Sequence, residues 1–290
     1  MKICAITMVY RDYWALDQWY RHYAKYLGAE DLYVISHGVD PEIARICTEA
    51  SILNIPRDPE DLKSFDRKRL RVINGIQSGL GNLYDWVIQT EADELVCYNP
   101  NTYGSFEEMF KSTKAPALFA LGLNVAEVEG DKPLKPTDMA LTDRSTACVT
   151  GNYSKAFAVR KAIPLRWHGV FCGYRKTDEF PFEMPDDGFY VHLKHASLEA
   201  LTASNTVRQS VADSVGEDWN VNGWAKPDFH AERFFRKTAA ATQLPWDEAV
   251  ALGYEQIRDN PVRDPKRGII KPPFINYVCR TTLPDWFREI

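Results

Sequence analysis

The apolar run from Ile3 to Val9 constrains the fold most, because a strand without polar alternation must be buried on both faces. Burial on both faces requires helices above and below the sheet, and the sequence supplies them. Asp12 to Leu27 reads as a helix, with Leu16, Trp19, Tyr20, Tyr23 and Leu27 at helical spacing and Gly28 as its stop. Leu32 to Ile35 is a second strand. Asp40-Pro41-Glu42 follows as a helix start, with an acid at the cap and proline at the first helical position. Ile52 to Ile55 is a third strand, and a longer helix runs from about Asp61 to Leu80 with Leu70, Ile73, Ile76 and Leu80 inward. Trp86 to Thr90 is the fourth strand. Strands alternating with helices make a right-handed, mostly parallel sheet the default arrangement.

Beyond residue 100 the pattern loosens. Ser105-Phe106-Glu107-Glu108 is a capping box for a short helix. Ala117 to Val125, Ala156 to Arg160 and Phe189 to His192 read as strands that extend the sheet in mixed orientation. From Ser197 the chain turns helical, and 216–230 and 259–275 are rich in Gly, Pro and Asn. The expected division is 1–200 as one α/β domain, in halves 1–100 and 101–200, and 201–290 as a helical extension packed on it.

A net charge of −5 leaves no basic footprint for nucleic acid. The aromatic content is high, with 8 Trp, 14 Tyr and 14 Phe, which supply core volume and also platforms on which sugars and bases stack. Six scattered cysteines, none in a CxxC pair, read as buried reduced thiols of a cytoplasmic protein. No stretch approaches the roughly 20 apolar residues of a membrane span.

The chemistry concentrates in Glu91-Ala92-Asp93-Glu94, released from the end of the fourth strand. A solvated loop or a helix cap uses one or two acids, whereas three acids in four positions suit oxygen ligands converging on a hard divalent cation. Ligands of open α/β sheets bind at the carboxyl ends of the strands. Alternate residues share a direction, so Glu91 and Asp93 are the metal candidates and Glu94 turns elsewhere. Mg2+ or Mn2+ takes one or two carboxylates plus substrate phosphates, which fits a metal-bridged nucleotide diphosphate.

Upstream lie Lys63, Arg67, Lys68, Arg69 and Arg71. Arg67 and Arg71 are four apart on one helix face and reach one phosphate or base edge, or else form part of a solvated surface. There is no Gly-rich phosphate loop. His192 is a candidate third metal ligand. His192 and His195 point to opposite faces of an unbroken strand, so their spacing is weak support for zinc. His168 is equally open between a ligand and a half-buried side chain.

Together these pieces make the chain resemble the family 2 glycosyltransferases of the GT-A fold, in particular the subgroup with a D-x-D-E-F signature. The pieces are Ile6-Thr7-Met8-Val9-Tyr10-Arg11 with Leu16-Asp17-Gln18-Trp19-Tyr20-Arg21-His22-Tyr23 and Leu27-Gly28, then Ser36-His37-Gly38-Val39-Asp40, then Thr90-Glu91-Ala92-Asp93-Glu94-Leu95. Lys155 to Arg160 and His192 to Glu199 complete the set. The departures are Glu91 for the first Asp, a changed loop at His37, and Leu193 for a Tyr.

The resemblance implies transfer of a sugar from a nucleotide-diphosphate sugar to a carbohydrate or lipid-linked acceptor hydroxyl, with inversion. It implies that Thr7, Tyr10, His37 and Asp40 hold the nucleotide, helped by Arg67 or Arg71. Glu91, Asp93 and His192 would hold the metal. Inversion needs a carboxylate base near the acceptor, and Asp187, in the turn Met184-Pro185-Asp186-Asp187-Gly188, is the choice, with Asp186, Asp178 and Glu179 as competitors. The alternatives are a nucleotidyltransferase on a similar sheet, against which the lack of glycine in Met8-Val9-Tyr10-Arg11-Asp12 counts, and a non-catalytic relative that binds sugar or nucleotide.

Overall fold

In the computed structural model the first strand, β1 (Ile3–Val9), is buried along its whole length. The structure describes residues 1–57, 65–160, 162–166, 171–215 and 226–290. Helix α1 (Tyr13–Leu27) packs on the sheet with Ala15, Leu16, Trp19 and Tyr23 buried and ends at Gly28, whose φ of 91° is a conformation that side chains disfavour. Strand β2 (Leu32–His37) leads to α2 (Pro41–Ile46), capped as expected by Asp40, whose carboxylate accepts from the Glu42 N–H. Strand β3 (Ser51–Ile55), α3 (Phe65–Leu80) and β4 (Trp86–Gln89) follow. The order β3-β2-β1-β4 is parallel throughout. The alternation of strands and helices thus gives a mixed α/β fold with a largely parallel sheet.

Antiparallel strands extend this sheet: β9 (Ala156–Val159) beside β4, then β6 (Ala117–Phe119) beside β9. A second sheet has the order β15-β8-β7-β12-β5. Its members are β5 (Glu94–Tyr98), β7 (Leu121–Ala126), β8 (Thr146–Val149), β12 (Gly188–His195) and β15 (Cys279–Thr282). The segment 117–125, which reads as one strand, is therefore two, broken at Ala120. Its first half pairs with β9 in the first sheet and its second half with β12 and β8 in the second. The short helix α4 (Phe106–Lys111) starts from the Ser105 cap, and α5 (Ala140–Asp143) precedes β8.

A small antiparallel sheet joins β10 (Leu165–Arg166), β11 (Phe171–Gly173), β13 (Val262–Asp264) and β14 (Ile269–Lys271). Helices α6 (Leu198–Val215), α7 (Pro227–Ala240) and α8 (Trp246–Gly253) follow in the last part of the chain. That segment also lends β14 to β11 and β15 to β8, so it completes two sheets. All six cysteines are buried and free. No helix among the described residues is long and apolar enough to cross a membrane.

The first sheet passes to the second through residues 90–93, between β4 and β5. Helix α1 holds this crossing. Trp19 donates its indole N–H to Thr90 Oγ1 at 2.8 Å, and the Thr90 N–H reaches the Ile6 carbonyl at 3.3 Å. Farther along, the Val96 N–H donates to the Tyr23 hydroxyl at 3.0 Å and the Val96 carbonyl accepts from His22 Nε2 at 2.8 Å. Side chains of α1 thereby satisfy part of the outer edge of β5. Burial pushes His22 down to about 4, so the ring is neutral there.

Candidate active site

The three acids of the crossing face three different ways. Glu94, fully buried, turns inward: Lys155 Nζ contacts Oε1, the Tyr190 hydroxyl donates to Oε2 at 2.5 Å, and the Glu91 N–H donates to Oε2 at 2.9 Å. Burial alone would lower the pKa of Lys155, but Glu94 and Glu91 outweigh it and hold the ammonium above its ordinary value. Glu91 turns to the cations, with Arg69 Nη2 at 2.8 Å and Lys155 Nζ at 3.8 Å. Asp93 faces His192, with Oδ2 3.3 Å from Nε2. Its backbone carbonyl accepts from the Leu193 N–H at 2.8 Å, so β12 fixes both the main chain and the side chain of this acid.

His192 is clamped from behind. Its register partner on β7 is Asn124, whose Oδ1 lies 2.7 Å from Nδ1. An amide oxygen only accepts, so Nδ1 carries hydrogen and Nε2 is the atom presented to Asp93. The Tyr153 ring stacks on the imidazole at 3.9 Å and 19°. Gly122 permits this: a Cβ there would lie 2.4 Å from the Tyr153 carbonyl carbon and 2.5 Å from the Ser154 nitrogen. Burial works to raise the Asp93 pKa, yet the facing His192 ring, which bonds the carboxylate when both of its nitrogens carry hydrogen, outweighs burial, and the carboxyl is held below its usual range.

Ligand atoms of Asp93, Glu94 and His192 lie within 4.8 Å of one another. Glu94 is already committed to Lys155, Tyr190 and the Glu91 amide, so the donor pair open to a cation is one carboxylate and one oriented imidazole. Mn2+ or Mg2+ completes such a set with water and phosphate oxygens, and the amide behind the imidazole is the outer-shell support that metal-bound histidines carry.

Of the expected nucleotide residues, Tyr10 and His37 meet, with ring centroids 5.8 Å apart. Arg57 joins them from the end of β3, lying 3.6 Å over the Tyr10 ring and donating to His37 Nδ1 at 3.2 Å. Burial, with Arg57 and Arg69 nearby, pushes His37 down to about 4. Thr7 is enclosed within β1 with its Oγ1 bonded to no described residue, and Asp40 caps α2 while accepting from the Tyr13 hydroxyl at 2.9 Å. Arg67 and Arg71 are exposed on the side of α3 away from Ile73. Arg69, one turn before Ile73, is the helix cation that reaches the crossing, because the apolar stripe of α3 sets which side chains turn inward.

Asp187 immediately precedes β12, five residues before His192 and so roughly 16 Å from it at the usual rise per residue. It accepts from Thr102 Oγ1 at 2.5 Å, and its N–H donates to the Tyr254 hydroxyl at 3.0 Å. The register explains the separation: Gly188 faces Tyr98 while His192 faces Glu94. Asp186 pairs with Arg258, and Glu179 with Lys176 at 3.0 Å. His195 leaves the site through a register shift in β12 and stacks on Phe234 at 3.6 Å. His168 and Lys63 lie outside the described residues.

Sequence reasoning missed Asn124, Tyr153 and Arg57, and gave Lys155 no role. Asn124 had a signal, as the lone polar side chain in the apolar strand Leu121-Gly122-Leu123-Asn124-Val125-Ala126. A further charged group lies beside Asp93: Lys194, Asp12 and Arg208. Burial and then the charge of Asp93 raise the Asp12 pKa, and burial and then Arg208 push Lys194 down to about 8.

No family model matches the chain, and no curated protein does. Solved structures with some likeness include a cytidylyltransferase from Leptospira borgpetersenii, with 11% identity, a TM-score of 0.26, and coverage of 42% of this chain and 54% of that one. Mouse xyloside xylosyltransferase 1 shares 13% identity at a TM-score of 0.23, over 44% of this chain and 52% of that one. A mannose-1-phosphate geranyltransferase from Thermus thermophilus shares 12% identity at a TM-score of 0.29, over 87% of this chain and 68% of that one. The chain thus spans about half the length of the first two. Likenesses this low in TM-score and identity carry no argument, and the chemistry of the site stands on its own residues.

Proposed function

We propose that this chain is a metal-dependent transferase acting on a nucleotide sugar, moving the sugar to an acceptor hydroxyl with the inversion that the family resemblance implies. One observation carries the reading: a carboxylate and an imidazole, Asp93 and His192, face each other at 3.3 Å where the parallel sheet hands over to the second sheet. Asp93 and His192 would hold Mn2+ or Mg2+, and that ion would offset the charge of the departing diphosphate. An imidazole donor favours Mn2+ over Mg2+.

The remaining roles belong to the chain. Asn124 holds His192 in the tautomer that keeps Nε2 toward Asp93. Lys155 and Tyr190 bury Glu94, which closes the turn through the Glu91 amide and sets the direction of Asp93. Arg69 balances Glu91. Tyr10, His37 and Arg57, at the carboxyl ends of β1, β2 and β3, offer an aromatic and cationic surface for the nucleotide base. Asp187 lies too far along β12 from the Asp93–His192 pair to accept the acceptor proton, which would pass instead to water or to a base brought with the acceptor.

The test is incubation with a panel of nucleotide sugars, with Mn2+ and with chelator. Metal-dependent release of nucleoside diphosphate, lost in Asp93→Asn, is the expected result. Undiminished release by Asp93→Asn would sink the metal assignment. Pyrophosphate released from a nucleoside triphosphate would replace the reading with nucleotidyl transfer, and binding without turnover would replace it with a non-catalytic role.

A further inference from the structure

We infer that Lys194 and Arg208 form an anion subsite beside the Asp93–His192 pair that takes the phosphate oxygens of a diphosphate. The inference rests on the preceding reading of a nucleotide sugar at this site, and it names the side chains that would hold its phosphates without the metal. Lys194 directly follows Leu193, whose N–H is bonded to the Asp93 carbonyl at 2.8 Å, so its stem starts at the acidic crossing. Its ammonium lies within the fields of Arg208, Asp93, Glu91 and Asp12. Half-buried, it makes no hydrogen bond or ion pair with any described residue.

Arg208 arrives from a different element. Ser204 and Arg208 are four apart on α6, hence on one face, and both turn to Asp12. Ser204 Oγ lies 3.2 Å from Asp12 Oδ2, while Arg208 Nη2 lies 4.0 Å from the same oxygen and Nη1 lies 3.4 Å from Asn205 Oδ1. Contacts at 4.0 and 3.4 Å aim the guanidinium without using up its five donors.

A cation withdrawn from water without a partner is costly, and a second cation beside it adds repulsion. An arriving anion removes both penalties. Two cations from two elements, next to a donor pair for a divalent ion, match an anion that bridges metal and protein. A diphosphate has oxygens enough for both, with Lys194 as a point charge and Arg208 as a fork.

Calorimetric titration of the full chain with pyrophosphate, with and without Mn2+, tests this. Lys194→Met and Arg208→Met are each expected to weaken pyrophosphate binding about tenfold or more, while Lys194→Arg retains it and Mn2+ binding alone stays as in wild type. Thermal melts of each variant show that the fold is intact. Unchanged pyrophosphate affinity in both Met variants, or no pyrophosphate binding by wild type with Mn2+ present, overturns the inference. Pyrophosphate bound through these two side chains, with no nucleotide sugar ever turned over, would leave the subsite standing and remove only the sugar-transfer reading. Turnover of a nucleotide sugar with undiminished pyrophosphate binding in both variants would do the reverse.

Discussion

Asn124 offers the sharpest test of the site, because it touches no acid and no substrate yet decides which nitrogen of His192 faces Asp93. Replacing it with Leu removes the acceptor at 2.7 Å from Nδ1 and keeps side-chain volume in a buried strand. Two routes give the size of the effect. A buried donor left without an acceptor costs about 1–3 kcal/mol. Removing the outer-shell partner of a metal-bound histidine typically costs about 10–100-fold in metal affinity, which corresponds to about 1.4–2.7 kcal/mol. The two agree, so Asn124→Leu is expected to weaken Mn2+ binding by one to two orders of magnitude.

Asn124→Asp separates the tautomer argument from simple disruption. A carboxylate accepts from Nδ1 more strongly than an amide and raises the basicity of Nε2, so this variant is expected to bind Mn2+ at least as well as wild type. Mn2+ titration followed by electron paramagnetic resonance reads both variants directly, with a thermal melt to show that each is folded. If Asn124→Leu, folded, bound Mn2+ with wild-type affinity, His192 would not be the ligand that the geometry makes it.

Lys155→Met leaves Glu94 buried with an uncompensated charge beside Glu91, and is expected to destabilise the fold by about 3–5 kcal/mol; an unchanged urea midpoint would refute the pairing. The buried rings of His22 and His37, pushed down to about 4, and of His195, pushed well below its ordinary value, are neutral in the fold but protonate once unfolded. The unfolded chain therefore binds more protons from about pH 6.5 down to about 4, and stability is expected to fall as pH drops through that window; a flat urea midpoint between about pH 7 and 5 would contradict it. Asp187→Asn is expected to leave kcat within a few-fold of wild type, whereas a catalytic base would show a loss of about 100-fold or more.

The parallel core was legible because its signals are local. An apolar run, a 3.6-residue stripe and a cap at Asp40 each arise within a few residues, and β1, α1, β2 and α2 stand where those signals put them. What escaped depends on pairing across the chain. Both halves of 117–125 are apolar, so nothing in the sequence separates the half that joins β9 from the half that joins β12. Arg67 and Arg71 share a face, but the inward face of α3 is set by Ile73 and Leu80, and that selects Arg69. The turn at Asp187 was readable. The end of β12 next to which it lies is decided by the antiparallel register with β5, which pairs the following Gly188 with Tyr98 and His192 with Glu94, and so keeps Asp187 far from Asp93.

Three acids in four positions repel one another, and the fold resolves this by giving each its own cation or donor. Arg69 meets Glu91 at 2.8 Å, His192 meets Asp93 at 3.3 Å, and Lys155 with Tyr190 encloses Glu94. The division explains why a longer acid stands first: an Asp at position 91 would be one methylene short of a guanidinium that comes from α3 across the crossing. It also explains why Glu94, although close enough to count as a ligand, is better understood as the anchor of the turn. Its carboxylate is bonded back to the Glu91 amide, which locks the spacing between the outer acids and leaves Asp93 as the one directed at the imidazole. The acidic crossing is thus a structural clamp at its two ends, and the proposed metal ligand is the acid at its centre.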